Sequence, residues 1–286
     1  MRKYLHLVGS GLGAIGVFFV AAKLIRYGDQ LSFSTLHALT WLEIACLAAG
    51  YGICGPILAL AWRQLLAFHG VNVTPLWSIR TYGTSQLAKY VPGNVFHLAS
   101  RQAIGVAAHM PAWPFAKSIG WELGAISVTA LLFIPLAIPL KLETLGLGLA
   151  ITAFVSFLAL LLWLLQTCVS NRVASAIAWY ATFLLLTGLV FGALLELTSS
   201  SDVALKNRPE LLVPVCGAYV LAWLAGLVTP GAPAGVGVRE AVLYWLLRDV
   251  AGHADLITAI VLGRAVTVVG DLLFFLGTAL ARTIRP

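Results

Sequence analysis

Lys89, Asn94, His97 and Arg101 crowd into one short stretch, KYVPGNVFHLASRQAIG, of an otherwise apolar chain. The stretch carries a Pro-Gly pair, Pro92-Gly93, and a second pair, Pro230-Gly231, lies in VTPGAPAGVGVREAV. No other Pro-Gly dipeptide occurs, and each is followed, nine positions after its proline, by an arginine, Arg101 and Arg239. Proline and glycine end one helix and permit a turn, so the next helix begins with unpaired N–H groups. A positive helix end with an arginine about two turns along suits an oxyanion such as a phosphate. The alternative is a packing kink whose arginines snorkel to an interface. Two identical offsets favour the functional reading, as does the rule that intramembrane ionisable residues mark sites.

The elements that must carry these residues are set by composition. Of 286 residues, 60% are hydrophobic and only 10% charged, and the mean hydropathy is +0.94. Such a chain is an all-α polytopic membrane protein rather than a soluble domain. Apolar runs at 5–24, 38–62, 115–138, 144–166, 174–197 and 256–281 are long enough to cross a bilayer. The first has the charged start and apolar middle of a signal peptide, and further spans mark it as an uncleaved helix. Residues 76–108 and 211–248 read as helix, Pro-Gly break, helix, each expected to turn back as a re-entrant hairpin with Pro92-Gly93 or Pro230-Gly231 at its tip. No long polar stretch leaves room for a soluble catalytic domain, so 1–286 reads as one membrane domain.

With a cytoplasmic N-terminus and two such hairpins, the cytoplasmic ends and loops hold Arg2, Lys3, Arg63, Arg80, Lys117, Arg172, Arg282 and Arg285, and no acid. The outer loops hold Lys23, Arg26, Lys141, Lys206, Arg208 and Arg248 beside several acids. This positive-inside bias predicts both termini in the cytoplasm. Three crossings then separate the hairpins, so they enter from opposite faces and form an inverted repeat, an architecture of transporters with a midplane site.

Further charges fall inside apolar segments: Glu43, Glu122, Glu196, Glu240, Arg264 and Asp271. Buried ions need partners, so a Glu122–Arg264 or arginine–Asp271 bridge is expected, with Glu122 and Asp271 as alternative proton carriers. Glu196, close to a helix end, reads as interfacial. Cys46, Cys54, Cys168 and Cys216 sit singly in apolar runs, read as small buried hydrophobes, and lack metal spacing. Trp41, Trp77, Trp113 and Tyr180 read as interface anchors. GLGAIG, Gly11 to Gly16, has dinucleotide-binding spacing but no βαβ context, so helix packing explains it better. No cofactor and no metal are expected. The net charge of +7 is explained by cytoplasmic loops, without nucleic acid.

YVPGNVFHLASR and TPGAPAGVGVRE, with spans over nearly the whole chain, resemble the transmembrane flippase family typified by the membrane half of lysylphosphatidylglycerol synthases. The resemblance implies translocation of lipids or lipid-linked sugars in a bacterial-type inner membrane. The chain departs from the fused members in lacking their soluble aminoacyl-transfer domain, and in Ala232-Pro233-Ala234 where a glycine-rich run is usual. The leading expectation is a flippase or scramblase rather than an enzyme, moving an anionic phospholipid or polyprenyl-phosphate-linked lipid. Arg101 and Arg239 would hold the phosphate, and Lys89, Asn94 and His97 would line the approach. A second copy of the chain and an enzyme that makes the lipid are compatible partners. Two other classes remain open. One is a transferase acting on a lipid-linked sugar, with Glu122, Glu240 or Asp271 as base. The other is a non-transporting assembly partner that uses its charges for pairing.

Overall fold

The computed structural model describes residues 38–91, 95–142, 146–199, 208–229 and 233–280, and among them every regular element is helical. The expected helix 5–24, the GLGAIG run, and Pro92, Gly93, Asn94, Pro230 and Gly231 lie outside the described residues. The long helices are α1 (Ala38–Phe68), α4 (Ala112–Leu131), α6 (Leu147–Cys168), α7 (Asn171–Thr198), α8 (Leu212–Val228) and α10 (His253–Ala279). Shorter ones are α2 (Pro75–Gln86), α3 (Phe96–Ala107), α5 (Ile134–Ala137) and α9 (Val238–Leu247). Six stretches are long and apolar enough to cross a membrane, and the protein is an integral membrane protein. Five of them match expected crossings. The sixth is Pro209–Val228, which the sequence pattern placed in the first limb of a broken segment.

Local chemistry explains where these helices start and stop. Thr74 accepts from the Trp77 N–H and Pro75 fills the first turn of α2, a favoured helix opening. Below it, α2 tightens into a 3-10 turn, Leu87–Tyr90, and stops at Val91, next to Pro92. The α4 helix ends in a turn, after which Pro135 and Pro139 allow only α5 and a 3-10 turn up to Leu140. Neither Pro-Gly segment is one continuous helix. After α8 the chain passes through Pro233–Gly235, with Ala234, Gly235 and Gly237 at φ of 50°, 71° and 87°. Left-handed backbone of this kind is what glycine permits at little steric cost.

Packing groups the loops at two ends. At one end Arg63 Nε donates to the Val73 carbonyl at 2.8 Å, and Arg172 donates to Gln64 at 3.1 Å. Phe68 and His69 at the foot of α1 also stack edge-on against Trp121 of α4. Burial and the nearby Lys117 push the His69 imidazole below its usual value. At the other end Lys141, after α5, pairs with Asp249, after α9, at 2.6 Å, and this hydrogen bond holds the Asp249 carboxyl below its usual value. Arg63, Lys117 and Arg172 thus share one end, and Lys141 and Asp249 the other, as the charge pattern groups them.

In the interior, Trp62 packs against Trp77, Tyr82 and Phe115 with ring centroids 5.3 to 6.3 Å apart. By contrast α6 buries only Ala150. A helix so apolar and so uncovered is stable where its surroundings are hydrocarbon.

The α1–α10 crossing depends on glycine. A Cβ on Gly270 would lie 2.7 Å from the Ala48 carbonyl oxygen and 3.0 Å from the Gly52 nitrogen, both backbone atoms that cannot step aside. Small residues allow this close approach between membrane helices. Gly270→Ala should therefore destabilise the fold by about 1–3 kcal/mol, as overpacking does. Gly50→Ala, whose added Cβ meets nothing within 4 Å, should be neutral or slightly stabilising. Thermal unfolding of both variants in one detergent checks the contrast, and equal midpoints would contradict it.

Candidate functional site

The two breaks meet. The 3-10 turn before Val91 touches the turn at Pro233–Gly235, and Leu87, Tyr90 and Ala234 pack around Val268 near the middle of α10. Beside this junction lies a cavity of about 110 Å³, lined by Lys89, His97, Arg101, Glu122, Arg239, Arg264 and Asp271, among others. Residues 150 positions apart in sequence converge there because α2 and α9 each lead a polar stretch to the same depth.

Three ion pairs organise the charges. Arg101, 1% exposed, donates to Glu122 at 2.7 Å. Its guanidinium lies over the Tyr82 ring at 4.2 Å and near Trp62 at 5.2 Å, and the Tyr82 hydroxyl donates to the other Glu122 oxygen at 2.8 Å. Lys89 pairs with Asp271 at 2.7 Å, and Asp271 also accepts from Gln86 at 3.0 Å and from the Tyr90 hydroxyl. Arg264 pairs with Glu240 and donates to the carbonyls of Ala234 and Gly235 at 3.0 and 3.1 Å. Glu240 in turn accepts from the Gly237 N–H at 2.6 Å, capping α9.

Arg239 is different. It is 7% exposed, and its guanidinium sits over the Tyr219 ring at 4.5 Å. Among the described residues it has no carboxylate partner and makes no hydrogen bond. A buried cation held only by an aromatic face retains its donors and most of its charge for an incoming anion.

No family model, curated protein or solved structure matches the chain. The chemistry of the site is therefore read from its geometry.

Several expectations change. Arg264 pairs with neither Glu122 nor Asp271: those carboxylates are engaged by Arg101 and Lys89, and Arg264 instead stitches the second break to α10. The two motif arginines are not equivalent. α4, the helix after the first broken segment, answers Arg101 with Glu122, whereas α10, the helix after the second, presents a cation, Arg264, so Arg239 goes unanswered among the described residues. The positive end of α9 is not open to a ligand either, because its own Glu240 caps it. The first turn of α3 has no side-chain cap. His97 lines the cavity, and its Nδ1 is buried with no hydrogen-bond partner among the described residues. Glu43 lies on an exposed face of α1 rather than in the cluster.

The aromatic residues also depart from expectation. Trp77 and Tyr180 are buried in the interior rather than anchored at an interface, while Trp113 is exposed beneath Lys117. Cys54 and Cys216 are buried as expected, but Cys46 and Cys168 are exposed. Tyr51, Tyr82, Gln86, Tyr90 and Tyr219, none singled out in the sequence, either line the cavity or hold its charges. A signal for three of them existed: TYGTSQLAKY is too polar for a helix facing lipid.

Removing Asp271 tests how the first break is held. Asp271→Ala strands Lys89, Gln86 and Tyr90 together. Breaking one partner of a buried pair destabilises by about 3–5 kcal/mol, so Asp271→Ala should unfold in detergent well below the wild type. An unchanged unfolding midpoint would show that the cluster does not hold the break.

Proposed function

We propose that the protein is a lipid flippase or scramblase that carries an anionic head group between leaflets through the cavity at the two breaks. The observation that carries this is Arg239: a guanidinium buried in a membrane domain, stacked on Tyr219, with no acid among the described residues to neutralise it. Burying a charge without a partner is strongly unfavourable, so a site of this kind is built for a counter-ion that comes and goes. A lipid fits better than a soluble anion, because Leu98, Leu123, Ile126, Trp223 and Leu227 line the same cavity as the cations and Leu123 is exposed on the outer surface of α4. Tails can remain in hydrocarbon while the phosphate visits Arg239. In this scheme Arg101, fixed by Glu122, shapes the path and contributes field, and Lys89 and His97 lie along the approach. The lipid is an anionic phospholipid or a polyprenyl-phosphate-linked lipid.

Each Pro-Gly segment acts here as a re-entrant hairpin, and the two form an inverted repeat. The grouping of loops supports it: both flanks of the first segment lie beside the Arg63 end, and α9 leads to the Lys141–Asp249 end. The arms α8 and α9 also pack against each other. With the acid-free Arg63, Lys117, Arg172 end in the cytoplasm of a bacterial-type inner membrane, both chain ends are cytoplasmic. Cysteines introduced at Thr74 and His109, in a background without native cysteines, should then be labelled from the cytoplasmic face. Those at Glu210 and Asp249 should be labelled from the other. Thr74 and His109 on opposite faces would rule out the first hairpin.

The transferase alternative is disfavoured because Glu122, Glu240 and Asp271 are each bound to a cation and a further donor, leaving none as a base. Reconstitution tests the proposal: vesicles with the purified protein should lose labelled phosphatidylglycerol from the inner leaflet much faster than protein-free vesicles. Equal rates would exclude transport of this lipid.

A further inference from the structure

The charges around the cavity also say how much charge it takes. Four cations, Lys89, Arg101, Arg239 and Arg264, face three carboxylates, Glu122, Glu240 and Asp271, and three close ion pairs cancel six of the seven charges. Among the described residues one positive charge, on Arg239, is left over. A single negative charge neutralises it. A second would need Lys89 or Arg101, and recruiting either leaves a buried carboxylate: Asp271 is held otherwise by Gln86 and Tyr90, Glu122 by Tyr82 alone. An uncompensated buried charge is a severe penalty in a poor dielectric. An ammonium is refused for the complementary reason, since both carboxylates lining the cavity are already engaged. Arginine is suited to two oxygens that share one charge, which describes a phosphodiester.

Resting on the flippase reading, we infer that the cavity selects a head group with one phosphodiester charge and no ammonium. Phosphomonoesters and diphosphates carry too much negative charge, and zwitterionic or aminoacylated lipids bring a cation with no acid to meet it. The diester can belong to a glycerophospholipid or to a prenyl lipid bearing a sugar through one phosphate.

Displacement of fluorescent phosphatidylglycerol from the purified full chain in detergent tests this, with five unlabelled competitors. Phosphatidylglycerol or a prenyl-phosphoryl sugar should displace the probe at tenfold or more lower mole fraction than phosphatidic acid, prenyl diphosphate or phosphatidylethanolamine. The better of the two diesters identifies the source. Asp271→Asn, nearly isosteric, releases Lys89 and should shift preference at least tenfold toward prenyl diphosphate. If that variant fails to fold, the wild-type series still decides. Prenyl diphosphate or phosphatidylethanolamine displacing as well as phosphatidylglycerol, in a protein that moves lipid between leaflets, would overturn the charge rule and leave the flippase reading standing. A protein that binds no probe and transfers no lipid would overturn both.

Discussion

Arg239→Ala should lower the affinity of the cavity for phosphatidylglycerol about thirtyfold. Arg239 has no carboxylate partner among the described residues, so its removal strands no acid there and the fold should survive. What is lost is a charge-assisted contact of about 2 kcal/mol, and every 1.4 kcal/mol is tenfold in binding. Arg239→Lys should fall between the two, since lysine restores the charge without the planar fork or the same stacking on Tyr219. Trp223 lines the cavity, so titration of its fluorescence with a short-chain phosphatidylglycerol measures the effect. Equal affinity in Arg239→Ala would make the arginine a packing element of Tyr219 and nothing more.

The second large effect concerns stability. Glu122→Ala leaves Arg101 ionised, 1% exposed and facing Tyr82 and Trp62 alone. A stranded buried charge destabilises by about 3–5 kcal/mol, whereas replacing a whole buried polar set with apolar groups of similar volume is often neutral. The triple variant Arg101→Met, Glu122→Leu, Tyr82→Phe removes donor, acceptor and hydroxyl together, and methionine adapts well to an aromatic surround. Its unfolding midpoint in detergent should approach that of the wild type, while Glu122→Ala falls far below. If Glu122→Ala were as stable as the wild type, the Arg101–Glu122 pair would not be holding α3 to α4.

Much of the fold could be read in the chain because a bilayer leaves the backbone few options. Long apolar runs must be helices, and α1, α4, α6, α7 and α10 fall in five of the runs expected to cross. Pro-Gly breaks are equally visible, since proline disrupts a helix interior and the glycine beside it permits a turn, whereas Pro56 without a following glycine is carried inside α1. Pro209–Val228 was harder: its length fits both a crossing and a long hairpin limb, and only packing separates them. The cluster of ionisable residues was legible for a related reason, because hydrocarbon tolerates charge only where something needs it. Partner choice was not. Glu122 and Arg264 occupy comparable places in the helices that follow the two broken segments, yet Arg264 finds Glu240, one helix turn from the cap at Gly237, before it can reach Glu122. That choice depends on the depth at which each break stops, which no spacing encodes. Trp77 and Tyr180 misled because tryptophan and tyrosine near segment ends usually mark interfaces, whereas here the half-polar α2 is itself internal and carries Trp77 into the core, and Tyr180 lies on a buried face of α7.

Arg239, with no acid beside it among the described residues, is proposed to carry an anionic head group across the membrane. The measurement that tests this role most directly is leaflet transfer of labelled phosphatidylglycerol in vesicles holding matched amounts of folded wild-type or Arg239→Ala protein. The wild type should transfer well above protein-free vesicles, and Arg239→Ala should fall most of the way to that background. Transfer by Arg239→Ala at the wild-type rate would contradict the account.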